Sequence, residues 1–235
     1  MSTFRFPNEP DDYREQRDAL LEAEVALRAQ IEAVAAQRRQ LPLGGRLKEA
    51  YTFERIDDDG RGESVPFDAL FGDHDSLILY SLMFGKTWDA PCPSCTSIVD
   101  GINANARAVA SEAAVAVVAD ATAEQLAAWT RTRGWHMTVV SAATSSYIVD
   151  YAGYDTDDAG AVSAMNVFRK TADGTFHFWA SELNTRPMEN AHPRHVDMVW
   201  PLWNLLDLTP GGRGTYLVPR QNYEHRYFSK RMLGE

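Results

Sequence analysis

Two cysteines, Cys92 and Cys95, lie three residues apart in the segment 91–95, which reads Pro-Cys-Pro-Ser-Cys, and the 235-residue chain has no others. Two sulfurs at this spacing on a helix can alternate between a dithiol and a disulfide. The apolar residues 77–84 before the pair have the length of a buried strand, and the alanine-rich residues 96–114 after it favour a helix. The sequence therefore predicts thiol–disulfide chemistry where a central strand meets a helix.

The order of residues around the pair predicts a role for each cysteine. With Cys92 as the N-cap and Pro93 as the first helical residue, free backbone N–H groups and the positive helix end favour a Cys92 thiolate. We expect an exposed Cys92 to attack the substrate disulfide. Cys95, one turn further and buried, then resolves the mixed disulfide. Ser94 completes the set of residues between the two sulfurs.

Four nearby side chains are candidates for supporting roles. Lys86, six residues before the first cysteine, is a candidate for lowering its pKa, and Trp88 lies in the same connecting segment. Thr96 and Asp100 follow at helical spacing, on roughly the face of the first cysteine. Asp100 is a candidate proton acceptor for the second cysteine. The alternative for Lys86 and Asp100 is an ordinary solvated charge.

A zinc site is the metal-binding alternative for the dithiol. Cys92 and Cys95 together with His192 and His195 make up a Cys₂His₂ set, but a gap of about 100 residues is unlike compact zinc modules. We therefore predict no metal. No glycine-rich phosphate loop or nicotinamide-binding pattern is present, so no cofactor is predicted and reducing equivalents must come from an external thiol.

The charge and the distribution of apolar residues indicate which partners and which cellular location to expect. The formal net charge of −10, from 23 basic and 33 acidic residues, argues against nucleic acid as a partner. No apolar run is long enough to span a membrane, and the N-terminus lacks the apolar core of a signal peptide. We therefore expect a cytoplasmic protein, in which a dithiol stays reduced between turnovers.

The N-terminal segment has the clearest helical pattern. Apolar residues recur at helical spacing across residues 11–40 and form one stripe, consisting of Tyr13, Leu20, Ala23, Leu27, Ile31 and Val34. Such a helix is about 45 Å long at 1.5 Å per residue, more than a small domain needs to cover its own core. It predicts either a homodimer through this helix or a helix that packs on its own domain.

The segments after the dithiol alternate between strand and helix. The sequence predicts strands at 51–56, 115–119 and 136–140, a helix at 122–133, an irregular excursion at 141–160, and a hairpin of 166–170 with 175–179 around an Asp-Gly turn. Parallel strands joined by helices imply a sheet covered on both faces. Trp200 and Trp203 either anchor the C-terminal segment or line a ligand groove. The predicted parts are an N-terminal extension 1–45, a central domain 46–185 and a C-terminal extension 186–235 packed on it.

The chain resembles the thioredoxin superfamily, and more closely the predicted dithiol–disulfide oxidoreductases of domain-of-unknown-function family 899. The matching segments are 13–39, the Leu-Pro-Leu-Gly-Gly at 41–45, Met-Phe-Gly at 83–85, Cys-Pro-Ser-Cys-Thr-Ser at 92–97 with Asp-Gly at 100–101, and Asp-Leu-Thr-Pro-Gly-Gly-Arg at 207–213. The resemblance implies a thioredoxin-like three-layer α/β/α sandwich with a long N-terminal helix and a C-terminal extension. Its later strands are expected to be arranged as in peroxiredoxins.

The function implied by the resemblance is exchange with a disulfide-containing protein or a small thiol or disulfide. Two departures from related patterns bear on this. Residues 158–165 lack the cis-proline with which thioredoxin-like enzymes face a peptide substrate, and Asp89 stands where peroxiredoxins have threonine. The alternatives are a thiol-dependent peroxidase, in which Cys92 becomes a sulfenic acid that condenses with Cys95, and a non-catalytic binding module on the same fold.

Overall fold

A computed structural model describes residues 5–57, 59–152, 154–155, 160–161, 163–181 and 200–212. The chain divides into two compact units, Met1–Pro42 and Leu43–Glu235. The first unit contains helix α1 (Asp11–Arg39), which confirms the predicted N-terminal helix. Acidic residues in its first turn and arginines in its last turn complement the helix dipole. Its apolar residues Leu20, Leu27 and Ile31 are more than half exposed, at 53%, 61% and 58%.

A seven-stranded sheet forms the centre of the second unit. Its strands are β1 (Thr52–Ile56), β2 (Gly62–Pro66), β3 (Ser76–Ser81), β4 (Ala114–Ala119), β5 (Thr138–Ser141), β8 (Ala164–Thr171) and β9 (Gly174–Ala180). Their order across the sheet is β2-β1-β5-β4-β3-β8-β9. Two short strands, β6 (Tyr154–Asp155) and β7 (Gly160–Ala161), pair separately.

The middle of the sheet is parallel and its flanks are antiparallel. Strand β4 pairs in parallel with both β3 and β5, and the connections are helices α2 (Pro93–Val109) and α3 (Ala123–Arg133). Helix α3 begins with a Thr122–Gln125 capping box and ends at Gly134 in the left-handed conformation. The predicted β8–β9 hairpin is confirmed. The carboxyl ends of β3, β4 and β5 thus meet at one edge, where α2 begins.

Two separate apolar cores lie on the two faces of the sheet. Helices α2 and α3 pack on the face that bears Tyr80, Leu82 and Val117. The other face bears Leu77, Leu79 and Val118 and is covered by a 3-10 helix (Phe67–Phe71) and by α4 (Tyr147–Tyr151). These layers confirm the predicted thioredoxin-like three-layer α/β/α class with a long N-terminal helix.

Several predicted boundaries were wrong. The strand predicted at 77–84 ends at Ser81, because the next residues turn away: the Met83 carbonyl accepts the Cys92 N–H at 2.9 Å instead of a ladder partner. Helix α2 begins at Pro93, as the cap analysis predicts, and ends at Val109, five residues before the end of the alanine-rich segment. Strand β2 had not been predicted, and the predicted irregular segment 141–160 contains α4 and the β6–β7 pair.

Within the described residues, no helix is both long enough and apolar enough to cross a lipid bilayer.

Candidate active site

The first turn of α2 positions the two cysteines. Cys92 is the N-cap, with φ −54° and ψ 127°, and Pro93 is the first helical residue, as predicted. The Cys92 N–H donates to the Met83 carbonyl at 2.9 Å, which fastens the helix start to the end of β3. Thr96 donates both its backbone N–H and its hydroxyl to the Cys92 carbonyl, each at 2.9 Å. The role of Thr96 is therefore to hold the helix cap.

Both cysteines are free thiols and both are buried. Cys92 is 5% exposed and Cys95 is 3% exposed, so the expected exposed Cys92 was wrong. The two sulfur-bearing side chains belong to the core between the sheet and α2, together with large side chains from distant segments, namely Tyr80, Leu82, Phe84, Met165 and Trp200. The prolines on either side of Cys92 are buried as well, while Ser94 between the two cysteines is half-buried.

The two thiols share a hydrogen bond that separates their pKa values. The Cys92 thiol donates to the Cys95 sulfur, and this bond, together with burial, raises the pKa of Cys92. The same bond lowers the pKa of Cys95 to about 7 against the opposing effect of burial. Because the groups titrate as a pair, the first proton is lost from Cys95 while Cys92 keeps its own. These opposite shifts favour a resting thiolate on Cys95 and differ from the Cys92 thiolate expected from the helix start alone.

Three further groups face the Cys95 sulfur and lower its pKa. They are the Tyr80 hydroxyl, the backbone of Met83 and the Ser163 hydroxyl. Neither hydroxyl had been predicted from the sequence. The position of Tyr80 could have been predicted, because side chains alternate between the two faces along β3 and Tyr80 therefore lies with Leu82 on the face that α2 covers. Ser163 directly precedes β8, at the place considered for a cis-proline, and no cis peptide bond occurs among the described residues.

The connection between β3 and α2 is fixed to the start of α3. The Gln125 side-chain amide donates to the backbone carbonyls of Lys86 and Trp88, at 3.4 and 3.0 Å. The Trp88 ring lies on Gly85, where an added Cβ would be 3.1 Å from the indole nitrogen. Trp88 thus packs the connection against the same apolar core as the dithiol.

The two charged candidates pair with residues other than the cysteines. The Lys86 ammonium lies 3.6 Å from Asp120, and Lys86 is not among the groups that shift the pKa of Cys92. The Asp100 carboxylate accepts a hydrogen bond from the Arg133 guanidinium and another, at 2.8 Å, from the indole N–H of Trp135. Asp100 therefore ties α2 to the end of α3. Both partners are distant in sequence, so helical spacing alone had suggested the wrong neighbour.

The C-terminal segment contributes a tryptophan next to the dithiol helix. Trp200 is buried in the dithiol core and donates its indole N–H to the Ser97 hydroxyl at 3.0 Å. It is followed by α5 (Pro201–Leu206), whose Leu202 and Leu206 pack on the same core. Trp200 therefore anchors the C-terminal segment, one of the two predicted alternatives. The Trp203 side chain, His192 and His195 lie outside the described residues, within which no group of three or more potential metal ligands occurs.

The model of the family DUF899, described as bacterial protein of unknown function, matches residues 3–229. Among curated proteins, none matches the chain. Similar solved structures include the reduced 2-Cys peroxiredoxin of Plasmodium vivax, with 17% identity, a TM-score of 0.46, and coverage of 71% of this chain and 96% of that chain.

Two further structures show similarity over much of the chain. Peroxidoxin BcpB from Mycobacterium tuberculosis is 15% identical, with a TM-score of 0.44 and coverage of 68% of this chain and 95% of that one. A hypothetical protein from Sinorhizobium meliloti is 19% identical, with a TM-score of 0.40 and coverage of 77% and 91% respectively.

Proposed function

This chain belongs to the bacterial family of unknown function DUF899, and from the geometry of its dithiol we propose that it is a thiol–disulfide oxidoreductase. The observation that carries the proposal is the position of two free cysteines in the first turn of α2, with Cys92 as the N-cap, and their interaction there lowers the pKa of Cys95 to about 7. A dithiol that loses its first proton near neutral pH has a thiolate available for exchange.

The shared proton gives Cys95 three successive tasks. As Cys92 attacks one sulfur of the substrate disulfide, the Cys95 thiolate takes the Cys92 proton through the hydrogen bond between them. The first substrate thiolate leaves and receives that proton from Cys95. The Cys95 thiolate then attacks Cys92, forming the Cys92–Cys95 disulfide and breaking the bond to the second substrate sulfur. Two electrons pass from the dithiol to the substrate, and an external thiol later returns them.

Burial of the dithiol favours a small substrate. Cys92 is only 5% exposed, and the residues that flank it are also buried. Ser163 rather than a cis-proline precedes β8, so the backbone feature that other thioredoxin-like enzymes offer to a peptide is not present at that position. We therefore propose a small disulfide as substrate and a small or protein thiol as reductant, in preference to the disulfide of a folded protein.

The test is a single-turnover reaction of the reduced protein with oxidised glutathione, followed by intact-protein mass spectrometry. The wild type is expected to lose two hydrogens and release reduced glutathione. Cys95→Ser is expected to stop at a glutathione adduct on Cys92, and Cys92→Ser to leave the disulfide substrate unconsumed. Wild-type thiols that remain reduced under these conditions would refute the proposal.

Hydrogen peroxide provides the comparison with the peroxidase alternative. If the protein is a peroxidase, peroxide oxidises the dithiol faster than the disulfide substrate does, through a sulfenic acid on Cys92. If it is an exchange enzyme, the disulfide reacts faster. A variant that lacks both cysteines and keeps its biological role would instead support the binding-module alternative.

A further inference from the structure

The Tyr80 hydroxyl is buried next to the dithiol. Tyr80 is 1% exposed on β3, and its hydroxyl makes no well-directed hydrogen bond, although it faces the Cys95 thiol and the Ser163 hydroxyl. Buried hydroxyls normally make a good hydrogen bond, because an unmade one in the interior is destabilising. A thiol is a weak acceptor, whereas a thiolate is a strong one. Ionisation of Cys95 would therefore give this hydroxyl a better acceptor.

The pairing of β3 with β8 places a second hydroxyl on the same side. Tyr80 is opposite Met165, and both side chains lie in the dithiol core. Ser163 is two residues before Met165 and, because side chains alternate along an extended chain, it faces the same side. Ser163 is itself buried. Two hydroxyls from neighbouring strands therefore converge on the sulfur of Cys95.

We propose that Tyr80 and Ser163 form a two-hydroxyl anion site that binds the thiolate of Cys95. The proposal rests on the proposed function and assigns these residues to its resolving step. Both hydroxyls donate a hydrogen bond and keep their protons, so no bond to oxygen breaks. The stabilised thiolate is the group that attacks Cys92 in the mixed disulfide.

The Tyr80 hydroxyl is suited to act as a donor and not as an acid. Burial and the neighbouring cysteines raise its pKa well above the ordinary value, so it remains neutral whenever Cys95 is ionised. In the dithiol state the hydroxyl faces a neutral thiol, which is a weak acceptor, and makes no well-directed hydrogen bond, which disfavours that state. Ionisation of Cys95 turns this thiol into a strong acceptor, and hydrogen bonds to a charged group are stronger than those to a neutral one. Both effects favour the thiolate.

The chain contains a matched control for removal of this hydroxyl. Tyr147 is also fully buried and its hydroxyl also makes no well-directed hydrogen bond, but it faces Asn166 in the core on the opposite face of the sheet. Tyr80→Phe and Tyr147→Phe therefore make the same chemical change at equal burial, and only the first removes a donor that faces Cys95. Both variants are expected to fold, since each loses a hydroxyl that makes no well-directed hydrogen bond.

The experiment is a pH titration of the reduced protein, followed by the ultraviolet absorbance of the thiolate. Tyr80→Phe is expected to raise the first midpoint by about one unit, a roughly tenfold loss of thiolate below the midpoint. Ser163→Ala is expected to raise it in the same direction, and Tyr147→Phe to leave it unchanged. In single turnover below the midpoint, Tyr80→Phe is expected to accumulate the glutathione adduct because resolution slows about tenfold.

The outcomes separate this proposal from the proposed function. The titration needs only the reduced protein, so a raised midpoint in Tyr80→Phe supports the anion site even if no disulfide is exchanged. An unchanged midpoint in Tyr80→Phe, or an equal rise in Tyr147→Phe, overturns it even if exchange is fast. If Tyr80→Phe does not fold, an unchanged midpoint in Ser163→Ala overturns the proposal and a raised one supports it.

Discussion

Replacing Asp100 with alanine is expected to lower stability without affecting the dithiol. The carboxylate accepts two hydrogen bonds from the Arg133 guanidinium in a bidentate ion pair, one of them from Nε at 3.3 Å. It also accepts a hydrogen bond from the Trp135 indole N–H at 2.8 Å. The side chains of Asp100 and Arg133 are 28% and 27% exposed, so we assign the pair about 1–2 kcal/mol. Trp135 is buried, and leaving its N–H unpaired costs about 1–2 kcal/mol. The free energy of unfolding should therefore fall by about 2–4 kcal/mol.

Urea denaturation of the reduced protein measures this loss. The midpoint is expected to fall while the slope stays constant, because the change does not alter the surface exposed on unfolding. Asp75→Ala is the matched control: Asp75 pairs with Arg169 through side chains that are 54% and 45% exposed, and its loss should cost less than about 1 kcal/mol. Asp100→Asn keeps an acceptor for Trp135 but loses the charge, so the stability that it costs should lie between the costs of Asp100→Ala and Asp75→Ala.

Two results would contradict this account of Asp100. Equal costs for Asp100→Ala and Asp75→Ala would mean that the network between α2 and α3 contributes no more than a surface ion pair. A shifted thiolate titration with unchanged stability would mean that the carboxylate acts on Cys95, the role predicted from the sequence. A double-mutant cycle with Arg133→Ala isolates the ion pair, with an expected coupling of about 1–2 kcal/mol.

Two further predictions concern pH and oligomeric state. Because the pKa of Cys95 is lowered to about 7 in the folded protein, the unfolded chain binds more protons above pH 7, and the stability of the reduced protein should rise towards pH 9. The raised pKa of Cys92 reverses the trend above its ordinary value, and urea titrations of the disulfide form should show neither effect. We also propose that α1 pairs antiparallel with α1 of a second copy, so that the acidic first turn of each helix meets the arginines in the last turn of the other. Native mass spectrometry should show a dimer for the wild type and a monomer for the double variant Leu20→Glu, Leu27→Glu. A monomeric wild type would contradict the proposal.

Features that depend on neighbouring residues were predictable from the sequence. Pro93 fixed the start of α2 and with it the N-cap position of Cys92. The Asp-Gly turn identified the β8–β9 hairpin, and Gly134 marked the end of α3. In each case a single residue type restricts the backbone conformation on its own, so no knowledge of distant segments is required.

Features that depend on distant segments were not predictable. Asp100 meets Arg133 and Trp135, which are 33 and 35 residues away along the chain, and no local pattern links them. Lys86 turns to Asp120 because the connection that carries it is held by Gln125 of α3. The burial of Cys92 arises from the core that Trp200 joins from the other end of the chain. Helical spacing describes one element, whereas these contacts join several.

The shift of the favoured thiolate from Cys92, expected from the helix start, to Cys95 has a physical cause that bears on mechanism. A helix N-terminus favours a negative charge on Cys92, and the N–H groups of Ser94 and Cys95 do lower its pKa. In the resting pair these effects are outweighed, because Cys92 donates its proton to a sulfur that also faces the hydroxyls of Tyr80 and Ser163. When the proton moves along the hydrogen bond from Cys92 to Cys95, the negative charge moves from Cys95 to Cys92. The charge can therefore rest on Cys95 and reach Cys92 only as substrate is attacked, which keeps Cys92 protonated between turnovers.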